Sequence, residues 1–222
     1  PRLYGSYHAG EFSLGSLDPL VLGQESGPAG LPNTKMAVRD GRGLIETDYG
    51  PVGVAVNGEG LLSHGWRGQL AAAAPSLAFP GCAAGRVSAF GDVRTTSGEP
   101  AFSGPLRLAS LVCEETGISL AHYAVDLDLL GNDELTDATI EARIEGGDSI
   151  LAANSAAALT GTIRAQTRGP LTTARFSLAA RGVETPQALA AVLTAEGQIR
   201  ADDDFSRVQL DGNLEANGLR LG

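Results

Sequence analysis

The sequence predicts an all-β fold: an elongated, twisted, mainly antiparallel β-sheet curled into a groove, with one short helix. Three observations carry this. Apolar and polar residues alternate with period two through most of the chain, as they do in strands with one dry face and one wet face. Gly and Pro interrupt the alternation at short intervals, where tight turns belong. Thirty glycines in 222 residues are also too many for a helical protein, because Gly weakens a helix interior.

In chain order, "RLYGSY" and "GEFSLGSL" read as short strands. Residues 18–33, rich in Gly and Pro, read as a loop crossing an edge, and strand signals resume with "TKMAVRD" and "GLIETDY". Val52, Val54 and Val56 then alternate with Gly53, Ala55 and Asn57, and Trp66, Gly68, Leu70 and Ala72 with Arg67, Gln69 and Ala71. Val87, Ala89, Gly91 and Val93 face away from Arg86, Ser88 and Asp92, with Phe90 breaking the polarity. The second half is cleaner. Tyr123, Val125, Leu127 and Leu129 alternate with Asp126 and Asp128, and Ile140 and Ile144 with Glu141, Arg143 and Glu145. Ile163, Phe176 and Leu178 hold the dry side of two further runs, and Val208, Leu210 and Leu214 that of the last. The helix is expected over 185–194, "TPQALAAVLT", with Thr185 as N-cap and Pro186 at the first helical position. At about ten residues it needs an apolar surface to dock on. The chain opens at Pro1 and stops in mid-pattern, so 1–222 is expected to be a single β-rich segment excised from a longer protein.

The composition narrows the function classes. A net charge of −10 and a pI near 4.7 argue against nucleic acid, whose phosphates such a surface repels. Six Phe, four Tyr and one Trp are few for filling a sandwich. His8, His64 and His122 lack metal-ligand spacing, and Gly58-Glu59-Gly60 opens no helix and reads as a strand-end turn. Asp202-Asp203-Asp204 and Asp211-Gly212-Asn213 lack the ligand spacing of a calcium loop and read as solvated turns. No Gly-x-Ser-x-Gly elbow occurs. No enzyme, metal or cofactor is expected. Cys82 and Cys113, the two cysteines, read either as buried thiols or as a disulfide between neighbouring strands.

The apolar face is the feature whose size asks for a use. A dozen strands at ~4.8 Å spacing extend about 60 Å, and such a sheet must curl, split or close. It either closes into a sandwich or barrel core, or stays open as a groove that accepts acyl chains.

Tyr49-Gly50-Pro51-Val52-Gly53, Gly58-Glu59-Gly60, Gly65-Trp66-Arg67-Gly68-Gln69-Leu70, "GCAAGRVSAFGDV" and "FSGPLRLASLVC" follow in an order that resembles the AsmA-like envelope proteins of the YdbH type, often labelled "dicarboxylate transport". The resemblance covers roughly residues 14–130. It implies a repeating β-groove protein anchored in the inner membrane of a Gram-negative bacterium and spanning the periplasm. Such a protein conducts phospholipids toward the outer membrane, with other envelope proteins as partners through parts of the chain not present here. The dicarboxylate label gains nothing from 16 scattered Lys and Arg. On this reading Val54, Val56, Trp66, Leu70, Tyr123, Val125, Leu127, Leu129, Ile140, Ile144, Ile163, Phe176 and Leu178 line the groove and shelter acyl chains. Cys82 and Cys113, both beside strand-like runs where the resemblance is strongest, are expected to be bridged. The alternative reading is a structural or adhesin-like β-solenoid module, which a fixed short repeat would favour.

Overall fold

A run with one dry face must lie beside others like it, because its backbone N–H and C=O groups need partners and its apolar side needs cover. In the computed structural model, which describes residues 2–9, 11–13, 15, 33–96, 99–132, 136–202 and 207–221, one sheet meets that need. Its strands are β1 (Arg2–His8), β2 (Glu11–Ser13), β3 (Lys35–Thr47), β4 (Gly50–Leu61), β5 (Arg67–Ala74), β6 (Leu77–Phe79), β7 (Cys82–Ala84), β8 (Val87–Thr96) and β9 (Glu99–Cys113). They continue as β10 (Ile118–Gly131), β11 (Asp137–Gly146), β12 (Ser149–Leu151), β13 (Asn154–Ala156), β14 (Ala158–Arg168), β15 (Leu171–Glu184), β16 (Ala188–Asp202), β17 (Val208–Asn217) and β18 (Arg220–Leu221).

The long strands form a meander, β3–β4–β5–β8–β9–β10–β11–β14–β15–β16–β17, with every neighbour antiparallel. β1 lies parallel to β3, and β2 turns back along β1. The short strands are outer ends of long ones. β7 continues β8 along β9, β12 continues β11 along β10, β13 continues β14 along β15, and β18 continues β17 along β16. The sheet is thus mainly antiparallel and curled, as the alternation predicts.

The helix expected over 185–194 is absent, and Ala188–Asp202 is β16. A ten-residue Ala/Leu run is marginal as a lone helix. As a strand it hydrogen-bonds β15 on one side and β17 and β18 on the other, so tertiary pairing overrides the local preference. Thr185 caps the turn instead. Its Oγ1 accepts from the N–H groups of Gln187 (3.3 Å) and Ala188 (3.0 Å) and donates to the Ala188 carbonyl (3.0 Å). The loop expected over 18–33 lies, apart from Asn33, outside the described residues.

A line of breaks sets the outer ends apart from the long strands. Between β7 and β8, the Gly85 N–H donates to the Ser110 carbonyl (2.8 Å), and the Ala109 N–H donates to the Arg86 carbonyl (2.9 Å). On β10 the break falls at His122, whose φ is +57°. Between β11 and β12, the Gly147 N–H donates to the Ala121 carbonyl (3.1 Å) and the Ala121 N–H to that of Asp148 (2.9 Å). Gly182 in β15 (φ +59°) and Gly218 before β18 (φ +67°) carry the line onward, and a Cβ on either would meet Ala157 or Ala191. Left-handed residues of this kind bend a strand and raise its twist, so the sheet is creased along one line. Beyond the crease the buried positions are Ala84, Cys113, Ser149, Val183 and Ala190.

At the β1 edge of the sheet, β1 is pinned by Asp48, in the β3–β4 turn. Its carboxylate accepts from the Ala9 N–H (2.8 Å) and faces His8 Nδ1 (2.7 Å). The Ala9 N–H, and after it the His8 side chain, hold the Asp48 carboxyl below its ordinary pKa of 3.8. A lowered carboxyl pKa stabilises the folded arrangement fully above that value and ceases to do so as the pH falls through the lowered one.

Two predictions follow from these features. His122→Gly should hold or slightly raise stability, while His122→Val should lose about 1–3 kcal/mol, since a β-branched residue resists positive φ. Urea denaturation measures both, and an unaffected Val variant would remove the crease as the cause. Hydrogen exchange at Ala9, corrected for its intrinsic rate, should show protection at neutral pH that fades below about pH 4. Asp48→Asn should remove that dependence, and a fade that persists in this variant would point to another group.

Candidate functional site

The register gathers the dry residues of successive strands into rows. Leu129, Ile140, Ala165, Ala174 and Ile199 follow one another across β10 to β16, and Phe102 of β9 heads the row. The next row holds Leu127, Ala142, Ile163 and Phe176, and the one after it Leu106, Val125, Ile144, Gly161 and Leu178. Tyr123 stands beside Leu108 at the crease. In the other wing Val54 and Val56 face Ala72 and Leu70. Trp66 precedes β5 on the side of Gly68 and Leu70. All the groove-lining candidates named from sequence therefore occupy one face. Trp66 is buried and the others are half-buried.

The sequence reading missed Phe102, Leu106, Leu108, Leu193 and Ile199, which share that face. For Phe102, Leu106 and Leu108 the signal was there, in alternation with Ser103 and Arg107.

The rings on this face lie over glycines. A Cβ placed on Gly58 or Gly68 would come within 2.4 or 2.5 Å of the Trp66 ring, one on Gly146 within 2.3 Å of Tyr123, one on Gly91 within 2.8 Å of Phe102, and one on Gly197 within 2.9 Å of Phe176. Trp66 is fixed further by its backbone: its N–H donates to Thr95 Oγ1 (3.0 Å), and its carbonyl accepts from the Thr95 N–H (3.0 Å). The "GEG…GWRG" run thus builds a clasp between β4 and β5, and Gly58-Glu59-Gly60 lies within β4, paired with β3, and not in the turn expected, because the strand continues to Leu61 before the chain turns.

Nothing among the described residues forms a second layer over the face. Strands touch chiefly those beside them in the sheet. Among the described residues no large side chain is fully buried, and apart from Trp66 and Val183 the buried apolar ones are alanines and Cys113. Among the described residues the face is therefore uncovered.

The opposite face is polar and holds a concavity of about 630 Å³ between β11 and β16. Glu141, Arg164, Arg175, Gln198 and Arg200 are among its lining, with Arg164 set between Glu141 and Arg175 in the register. Arg164 Nε lies 3.6 Å from Glu141 Oε1, both side chains largely exposed, an arrangement worth little in water.

The histidines stay apart. His8 pairs with Asp48, His64 with Ser63, and His122 sits at the crease. Among the described residues no cluster of His, Cys, Asp or Glu could hold a metal ion, and no helix is long and apolar enough to cross a membrane. Asp202 accepts from Arg207 Nε (2.7 Å), while Asp203 and Asp204 lie outside the described residues. Asp211-Gly212-Asn213 lies inside β17 and not in a turn as expected, because its alternation with Leu210 and Leu214 continues the strand.

Cys82 and Cys113 stand directly opposite each other in β7 and β9 and are joined by a disulfide, 31 residues apart in sequence. The bridge ties the outer strip beyond the crease to the meander. No protein-family model, curated protein or solved structure matches the chain.

Thiol titration of the denatured, unreduced protein should therefore find no free thiol. Reduction should cost about 3–4 kcal/mol of stability in the chain-entropy picture. A urea midpoint unmoved by reductant would show that the bridge closes a loop already held by the sheet.

Proposed function

We propose that this chain is a segment of a lipid-conducting groove protein of the AsmA-like, YdbH type, active in the periplasm between the inner and outer membranes. One observation carries the reading: an apolar face crosses the sheet from β4 to β17, and nothing among the described residues covers it. Soluble proteins rarely leave an apolar patch beyond a few hundred Å² without a use. An occupant made of acyl chains fits, since each CH₂ leaving water gains about 0.8 kcal/mol. Neighbouring rows are chemically alike, so a chain sliding along them meets little change in energy. The disulfide supports an oxidising compartment such as the periplasm. The inner-membrane anchor and the envelope partners belong to the same proposal and rest on the resemblance.

Native mass spectrometry of the purified chain, followed by lipid extraction, tests the occupant. Co-purified phospholipid is expected, and its absence from protein refilled with phospholipid vesicles would overturn the reading. Substitution tests the openness of the trough. In an open trough a carboxylate at Leu127 or Ile140 reaches solvent, so Leu127→Asp and Ile140→Asp should stay folded and lose bound lipid. In a closed core an unpaired carboxylate costs several kcal/mol, against a total stability of about 5–15 kcal/mol. Collapse of both variants while Thr139→Asp still melts cooperatively would show the core to be closed.

A further inference from the structure

The polar face gathers charge of one sign against the trend of the chain. Arg164, Arg175 and Arg200 all line the concavity of about 630 Å³, and among the described residues Glu141 is the one acid in its lining. The lining therefore carries a surplus of positive charge, three arginines to one glutamate, in a chain whose net charge is −10. Strand pairing imposes the cluster. Arg164 and Arg175 stand directly opposite each other, where like charges repel. Arg200 lies across from Thr173, diagonal to Arg175. Glu141 meets Arg164 at 3.6 Å. Among the described residues, neither the Arg175 nor the Arg200 guanidinium has an ion pair or a hydrogen bond. Two neutral donors complete the lining: the amide of Gln166, two residues along from Arg164, and that of Gln198, opposite Arg175. Opposition alone does not single out the site. Arg67 and Arg94 are also opposed in the other wing, but there Glu59 stands across from Arg67 and no third arginine adjoins the pair.

We propose that this concavity binds a small phosphorylated molecule, with its phosphoryl oxygens held among the guanidinium groups of Arg164, Arg175 and Arg200. A guanidinium presents paired N–H donors that match a phosphoryl group in a bidentate manner. A phosphate monoester near neutral pH is close to a dianion. It balances the surplus charge of the lining and relieves the repulsion between the opposed arginines. Gln166 and Gln198 offer donors to the remaining oxygen. A single carboxylate brings one charge and two oxygens, and leaves an arginine uncompensated. The volume is that of a small-molecule site. The surroundings turn away a polyanion, because acids ring the arginines. Asp128 stands opposite Glu141 and Asp211 opposite Gln198. Glu196, diagonal to Arg175, accepts from Ser177 Oγ (3.1 Å). A nucleic acid would meet these carboxylates along its length. The proposal concerns the face opposite the apolar one and stands whether or not lipid occupies the latter.

The test uses the whole chain at low salt. Calorimetry follows the addition of glycerol phosphate and, separately, of acetate at the same ionic strength. Cosedimentation follows phosphatidylcholine vesicles with and without phosphatidic acid. Glycerol phosphate should bind, and added salt should weaken it. Arg175→Gln should weaken it at least tenfold, while Arg94→Gln, at the other opposed pair, should leave it unchanged. Both positions are exposed, so both variants should fold, and circular dichroism checks this. Binding confined to the phosphatidic acid vesicles, and lost in Arg175→Gln, would keep the site and make a lipid headgroup the source of the phosphoryl group. Absence of binding in both arms would overturn the proposal. So would acetate binding as tightly as glycerol phosphate, or an equal loss in Arg94→Gln, since either would show attraction by diffuse charge in place of a site.

Discussion

Much of this structure depends on how a single layer covers its own large side chains. With no second sheet against the apolar face, a ring standing upright would bury little. Set against a glycine, it gains contact that a Cβ there would block. Trp66 against Gly58 and Gly68, Tyr123 against Gly146, Phe102 against Gly91 and Phe176 against Gly197 are all placed in this way. The arrangement accounts for Gly58, Gly68, Gly91, Gly146 and Gly197, where a Cβ would collide with the ring. Covering the glycines also limits their weakening of the strands.

A sheet built this way draws its stability from nearest neighbours, much as stacked repeats do. Each strand depends on the two beside it, so the margins and the outer ends are its weakest parts. The structure ties them down at particular points. Asp48 holds the turn after β1, and the disulfide joins β7 to β9. Tyr123 and Ser149 meet through their hydroxyls across the crease, and Thr185 closes the β15–β16 turn. The crease lets the outer ends change direction without breaking the ladders on either side.

The period-two alternation made most strands and their dry face legible from sequence, because strand geometry fixes side-chain direction whatever the partner. Residues 185–194 were misread for the converse reason. Ala and Leu favour a helix locally, and only pairing with β15, β17 and β18 makes that run a strand. The register was not legible. Nothing in the spacing of Phe176 and Gly197 shows that they meet, and the row from Glu141 through Arg164 to Arg175 exists only once the strands are aligned. The crease was hidden too, since His122 carries no turn signature and adopts positive φ because the bend across the sheet requires it. Ile199 and Leu193 went unread because they fell inside or just after the expected helix.

The apolar face and the bare edge of β17 are consequences of the same single-layer design. In a sandwich, a second sheet would cover the rows of Leu, Ile and Val, and an exposed edge would cost only its own backbone hydrogen bonds. Here each row needs a strand on either side as well as something lying along its face. Among the described residues β17 has neither, and Leu210 and Leu214 are accordingly the most exposed residues of their rows. Lateral pairing and facial cover are separate requirements in a single layer: the first is met by backbone donors and acceptors, the second by apolar contact alone.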